Sequence, residues 1–167
     1  IEYNQMDITS SIKKYKNSVT RKYISLSNDE IDVITKGDYW LSKKYDGQLW
    51  FYCKSKKNSK IINSNENDIS TLISDIKKEL DKKLSKIKNI ILAGELYSLT
   101  KERERYGDTI SGLGDKSKRK NLRLGVFDVV ISDKLLSSFE EKYKFLKKNL
   151  NENSKDLEWQ IWNPFEN

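Results

Sequence analysis

Residues 39–52 read YWLSKKYDGQLWFY, with Lys43 and Lys44 side by side among residues that otherwise suit a buried strand. Working outward, Tyr39 to Lys44 and Gln48 to Lys54 predict two strands, with Asp46-Gly47 in a tight turn between them. Side chains alternate across a strand. Lys44 then shares a face with Trp40 and Ser42, and Lys43 shares the other with Leu41 and Tyr45. At most one of the two lysines enters a given pocket. A lysine held in an apolar pocket loses hydration, which favours the neutral amine, and the neutral amine is the nucleophilic form. Gly47 is expected to let a ligand approach the backbone beside it.

Upstream, Ile8, Ile12 and Tyr15 recur at helical spacing behind Asp7 as a cap, and a short helix is predicted from Ser27 to Ile34. Downstream, SKKNSK (55–60) reads as a polar turn. Asp68 is expected to open the clearest helix, with Ile69, Leu72, Ile73, Ile76, Leu80 and Leu84 as one apolar stripe. NIILAGELYSL (89–99) and LRLGVFDVVIS (122–132) are strong strands, joined by a long polar and basic stretch. Ser138-Phe139-Glu140-Glu141 is a capping box for a helix running to about Leu150, and LEWQIW (157–162) alternates as a final strand would. There is no βαβ rhythm, internal repeat or linker. The expectation is one α+β domain over residues 1–167, a mostly antiparallel sheet with flanking helices.

Of the 167 residues, 36% are hydrophobic and 34% charged, and no apolar run approaches the roughly 20 residues of a membrane span. The polar N-terminus IEYNQMDITSS has no signal-peptide pattern. Cys53 is the single cysteine and histidine is absent, which excludes an internal disulfide, a multi-cysteine zinc site and imidazole chemistry. Catalysis must fall to Lys, Asp, Glu, Arg, Tyr or Ser. A cytoplasmic protein without a membrane partner is expected. The chain begins at Ile1 and so reads as a segment of a longer one. A net charge of +7 suits an anionic partner such as nucleic acid or a nucleotide, although an AT-rich coding sequence gives the same bias toward Lys, Asn, Ile and Ser.

Lys44-Tyr45-Asp46-Gly47 resembles the KxDG motif of covalent nucleotidyltransferases, which comprise ATP-dependent DNA ligases, RNA ligases and mRNA capping enzymes. AGELYSL (93–99) resembles the second, acidic motif of these enzymes, and LGVFDVV (124–130) the next, an apolar strand with an aromatic-Asp pair. Order and spacing fit from about Tyr39 to Leu150, and GELY and VFDVV look more like DNA ligases. The resemblance implies an ATP-grasp-like adenylation domain. Lys44 would attack the α-phosphate of ATP with Mg²⁺ present, releasing pyrophosphate and leaving a lysyl-AMP. Glu95 resembles the acid that holds ribose or metal, and Phe127 the aromatic that stacks on adenine. The implied nucleotide-binding set is Ser42, Lys43, Lys44, Asp46, Gly47, Glu95 and Phe127, with Lys44 and Glu95 catalytic and Glu95 the metal ligand. Nicked duplex DNA is the implied partner, in repair, replication or recombination, with RNA the alternative. The alternative functions are an RNA ligase, a capping-type guanylyltransferase, or an inactive relative that binds nucleotide or nucleic acid.

The residues support these roles to different degrees. Glu95 shares a face with Ile91 and Ala93, where a carboxylate needs ribose, metal or Lys44 as partner unless the strand end is already wet. Phe127 also suits plain core packing, and Asp128 between two valines must be hydrogen-bonded. Lys43 reads as a solvated or backbone-only neighbour of the site. Lys116, Lys118, Arg119 and Lys120 form a basic cluster suited to nucleic-acid backbone. The chain departs from the family at three places. Ser42 stands where many ligases have a glutamate, and Asn65 where a Ser-Arg-x-Gly stretch has arginine, with Arg103 or Arg105 as substitutes. No Glu-Gly-x-x-x-Lys motif follows Asp128. The domain is therefore expected to be the N-terminal portion of a nucleotidyltransferase domain, incomplete at its C-terminal end, with a further domain in the parent protein.

Overall fold

The run IILA within 89–99 is apolar at consecutive positions, so the strand that carries it must be covered on both faces. The structure, a computed structural model, describes residues 5–34, 41–42, 44–99, 112–150, 157–158 and 161–162. In chain order its elements are α1 (Gln5–Ser18), α2 (Asn28–Ile34), β1 (Leu41–Ser42), β2 (Gln48–Ser55), β3 (Asn58–Ile62), α3 (Ser74–Lys83), β4 (Asn89–Ser98), β5 (Leu122–Ser132), α4 (Phe139–Asn149), β6 (Leu157–Glu158) and β7 (Ile161–Trp162). Short 3-10 turns lie at Thr20–Lys22 and Lys116–Asn121.

The main sheet has the order β3-β2-β4-β5-β6, with β4 central. Pairing is antiparallel from β3 to β5, and β6 joins β5 in parallel over two residues. Trp50, Tyr52, Leu92 and Leu124 on one face pack with Ile76 and Leu80 of α3 and Leu146 of α4. Phe51, Cys53, Ile91 and Ala93 on the other pack with Ile8, Ile12 and Tyr15 of α1. Each of the buried Leu, Ile and Phe side chains among them contributes about 1.5–3 kcal/mol. The α+β class and the mostly antiparallel sheet expected from the sequence are therefore observed. The final predicted strand is two short ones: β6 on the main sheet, and β7 paired with β1 in a separate two-stranded sheet.

Two local expectations need correction. Asp68 does not open α3. Its carboxylate accepts the Ser70 backbone N–H at 2.8 Å, and a turn intervenes before the helix starts at Ser74. Asp competes for nearby backbone donors in just this way. The apolar stripe is otherwise buried, apart from the partly exposed Leu72. Lys44 is also not a lysine inside an apolar strand, because it lies outside any strand; a different lysine takes that place. It is Lys54 of β2, 7% exposed, whose Nζ donates to the Leu84 carbonyl at the C-terminal end of α3 at 2.7 Å. A cation there satisfies a helix-end acceptor and complements the helix dipole.

Candidate active site

Residues 44–47 are outside any strand. The alternation argument at Lys44 therefore fails, and so does the expected apolar pocket, because Lys44 is exposed. Tyr45 turns inward instead and is 6% exposed. Its ring stacks on Tyr97 of β4 at 4.2 Å between centroids and 9° between planes. It also lies on Gly125 of β5, where an added Cβ would stand 2.6 Å from Tyr45 Cε2. Glycine at that strand position is required by the close approach of the ring. Tyr45 thus fastens the segment to the sheet while Lys44 faces solvent. Sequence reasoning missed this anchor, and its signal was the strand glycine opposite the acidic motif.

Gly47 serves contact within the protein. A Cβ there would stand 1.8 Å from the Leu96 carbonyl oxygen, so the turn lies directly on the β4 backbone. Within the chain its close neighbour is this strand. The Gly47 N–H donates to Glu95 Oε1 at 3.3 Å, joining the KxDG turn to the acidic motif. Glu95 is half-buried, and burial pushes its carboxyl up to about 7. The Gly47 hydrogen bond and the Lys44 charge pull it down, and the Asp46 charge pushes it up. Lys44, Asp46 and Glu95 are therefore close enough to feel one another's charge. Two such carboxylates suit Mg²⁺, which takes one or two carboxylates plus substrate phosphates. Among the described residues, no group of three or more Asp, Glu or Cys side chains is arranged for a metal.

Phe127 is half-buried and packs with the α1 cluster, on the sheet face that also carries Glu95. Asp128 follows an irregularity in the β4–β5 pairing. Its Oδ2 accepts the Tyr15 hydroxyl of α1 at 2.7 Å, and Oδ1 accepts the Val129 N–H at 2.8 Å and pairs with Lys142 Nζ of α4 at 3.1 Å. Tyr23, which sequence reasoning also missed, reaches the same region. Tyr23 is 62% exposed overall, and partial burial of its phenol and then the charges of Asp128 and Glu95 hold that group up. Ser42 lies in β1, opposite Ile161 of β7. Lys43, Arg103 and Arg105 fall outside the described residues. Burial pushes the Cys53 thiol up to about 12, so it is no nucleophile at neutral pH. A cavity of about 400 Å³ lined by Ile87, Leu135, Phe145 and Lys148 lies toward the opposite end of β4 and contains none of the motif residues.

Three motifs, far apart in sequence, thus meet on one sheet face around Glu95. A family model described as "ATP dependent DNA ligase domain" matches residues 10–165. The chain belongs to this family. The ligase domain fold extends to solved structures of low sequence identity. The domain is similar to "mycobacterial DNA ligase D complexed with ATP and MES", at 13% identity and a TM-score of 0.55 over 73% of this chain and 39% of that one. It is similar to the ligase domain from M. tuberculosis LigD, at 13% identity and a TM-score of 0.56 over 73% of this chain and 40% of that one. It is also similar to "Pmar-Lig_PreS3", at 16% identity and a TM-score of 0.60 over 93% of this chain and 39% of that one. The ligase domain described here therefore spans about two fifths of these solved chains. No curated protein matches it.

Proposed function

We propose that this domain carries out the first step of ATP-dependent DNA ligation, transfer of AMP from ATP to Lys44. One observation carries the reading: the Gly47 N–H to Glu95 Oε1 hydrogen bond of 3.3 Å, which fixes the lysine's turn to the acidic strand. Neutral Lys44 Nζ attacks the α-phosphorus. An N–P bond forms, the α–β phosphoanhydride bond breaks, pyrophosphate leaves, and the amine proton passes to solvent. Exposure of Lys44 fits this role, because ATP and then a 5′-phosphate of nicked DNA must both reach it. Glu95 and Asp46 would hold Mg²⁺, which when bound offsets phosphate charge. Glu95 otherwise engages the ribose, and the accessible part of Phe127 takes the adenine. Ser42, Lys43, Asp46 and Gly47 border the nucleotide.

On this reading residues 1–167 are one domain, the N-terminal portion of a nucleotidyltransferase domain with a further domain in the parent protein. It works on nicked DNA in the cytoplasm, in repair, replication or recombination. Among the described residues no helix is long and apolar enough to cross a membrane.

The test is incubation with α-labelled ATP or GTP and Mg²⁺, followed by a denaturing gel and peptide mapping. Weak label is expected from ATP, on Lys44, with Lys44→Ala abolishing it and Lys43→Ala at most weakening it further. Label mapped to Lys43, or retained in Lys44→Ala, would overturn the assignment.

A further inference from the structure

We infer that the 3-10 turn Lys116–Asn121 grips the phosphate backbone of duplex DNA about four base pairs from the nick. The inference rests on the ligation reading above and adds the place where substrate is held.

Lys116, Lys118, Arg119, Lys120 and Arg123 fall within eight residues that contain no carboxylate. The acid just before them, Asp115, is engaged as the cap of the turn. Its Oδ1 accepts the Ser117 N–H at 2.9 Å and the Ser117 hydroxyl at 2.7 Å. The two arginines brace the turn. Arg119 Nη2 donates to the Leu113 carbonyl at 3.2 Å, and Arg123 Nη1 donates to the Lys120 and Leu122 carbonyls at 2.9 and 2.8 Å. Lys116, Lys118 and Lys120 remain on its exposed surface. Amines on a braced turn can neutralise phosphates without reading bases.

Position gives the turn its meaning. It runs straight into β5, and the Leu99 N–H donates to the Asn121 carbonyl at 2.7 Å, continuing the β4–β5 pairing. Four residues farther along β5, Gly125 stands opposite Glu95. Four strand residues span roughly 13 Å. One DNA strand carries a phosphate about every 3.4 Å of rise, so the same span is about four base pairs. With the duplex axis laid along β5, the turn that carries the lysines lies where the backbone passes when a nick is held at Lys44 and Glu95.

The test compares the 167-residue chain with its Lys116→Gln/Lys118→Gln/Lys120→Gln variant on a nicked duplex. The log–log salt slope of binding is expected to fall by about 2.7, at about 0.9 per phosphate contact. Lysyl-AMP formation, which needs no DNA, is expected to be unchanged. Shortening one arm to fewer than about four base pairs from the nick should weaken the parent chain toward the variant's affinity. An unchanged slope, or equal sensitivity of both proteins to arm length, would overturn the grip and leave the ligation reading intact. A reduced slope with AMP mapped to a residue other than Lys44 in both proteins would support the grip and overturn the ligation reading.

Discussion

Glu95 is the residue at which packing and chemistry pull against each other. Burial places its carboxyl at about 7, against 4.5 for the free group. Between those values the folded chain holds a proton that the unfolded chain has lost, so stability is highest below about 4.5 and falls as pH rises to about 7. Glu95→Gln is expected to flatten that fall. Denaturant melts of the two proteins should diverge by about 1–2 kcal/mol across the window, reduced from 1.36 kcal/mol per pKa unit because solvent screens a part-exposed carboxyl. Parallel pH profiles would mean that the carboxyl titrates normally. The face of Glu95 was legible in the sequence, because β4 alternation holds at Ile91 and Ala93. The surroundings of Lys44 were not. Alternation applies only while the backbone stays a strand, and Tyr45 draws the chain out of one by stacking on Tyr97.

At the scale of elements, α1 and α4 meet at Asp128. One carboxylate takes the Tyr15 hydroxyl from one helix and the Lys142 ammonium from the other, across the β5 edge. The aromatic-Asp pair is thus partly structural, as its position between two valines required. The partners proved to be two helices, which no local pattern encodes. Asp128→Ala is expected to cost about 2–3 kcal/mol, because a hydroxyl and a cation both lose their acceptor. A double-mutant cycle with Tyr15→Phe should give a coupling of about 1 kcal/mol, and strict additivity would show that the two do not cooperate. Helix starts were legible where a capping box was written. Ser27 and Glu30 bond reciprocally at the start of α2, and Ser138 Oγ accepts the Glu141 N–H at the start of α4. The start of α3 was not legible, because Asp68 serves a turn before the helix begins.

For the whole molecule, the 167 residues contain no Glu-Gly-x-x-x-Lys motif after Asp128, and the family resemblance implies that the lysine of such a motif neutralises the phosphates. Fixed charges aimed at a developing anion contribute about a hundredfold or more each. Label transfer by this chain is therefore expected to be at least about 100-fold slower than by the mycobacterial ligase domain assayed beside it. Comparable rates would show that Lys44, Glu95 and Phe127 suffice. The pairing of Ser42 with Ile161 bears on timing as well as architecture. The strand that leads to Lys44 finds its partner on the order of 120 residues later, a closure that costs entropy before it gains a contact. Translation at about 5–20 residues per second leaves that strand without its mate for roughly 10 seconds on the ribosome. The sheet from β2 to β5 is complete before then, so a nascent chain acquires its main sheet first and the setting of Lys44 last.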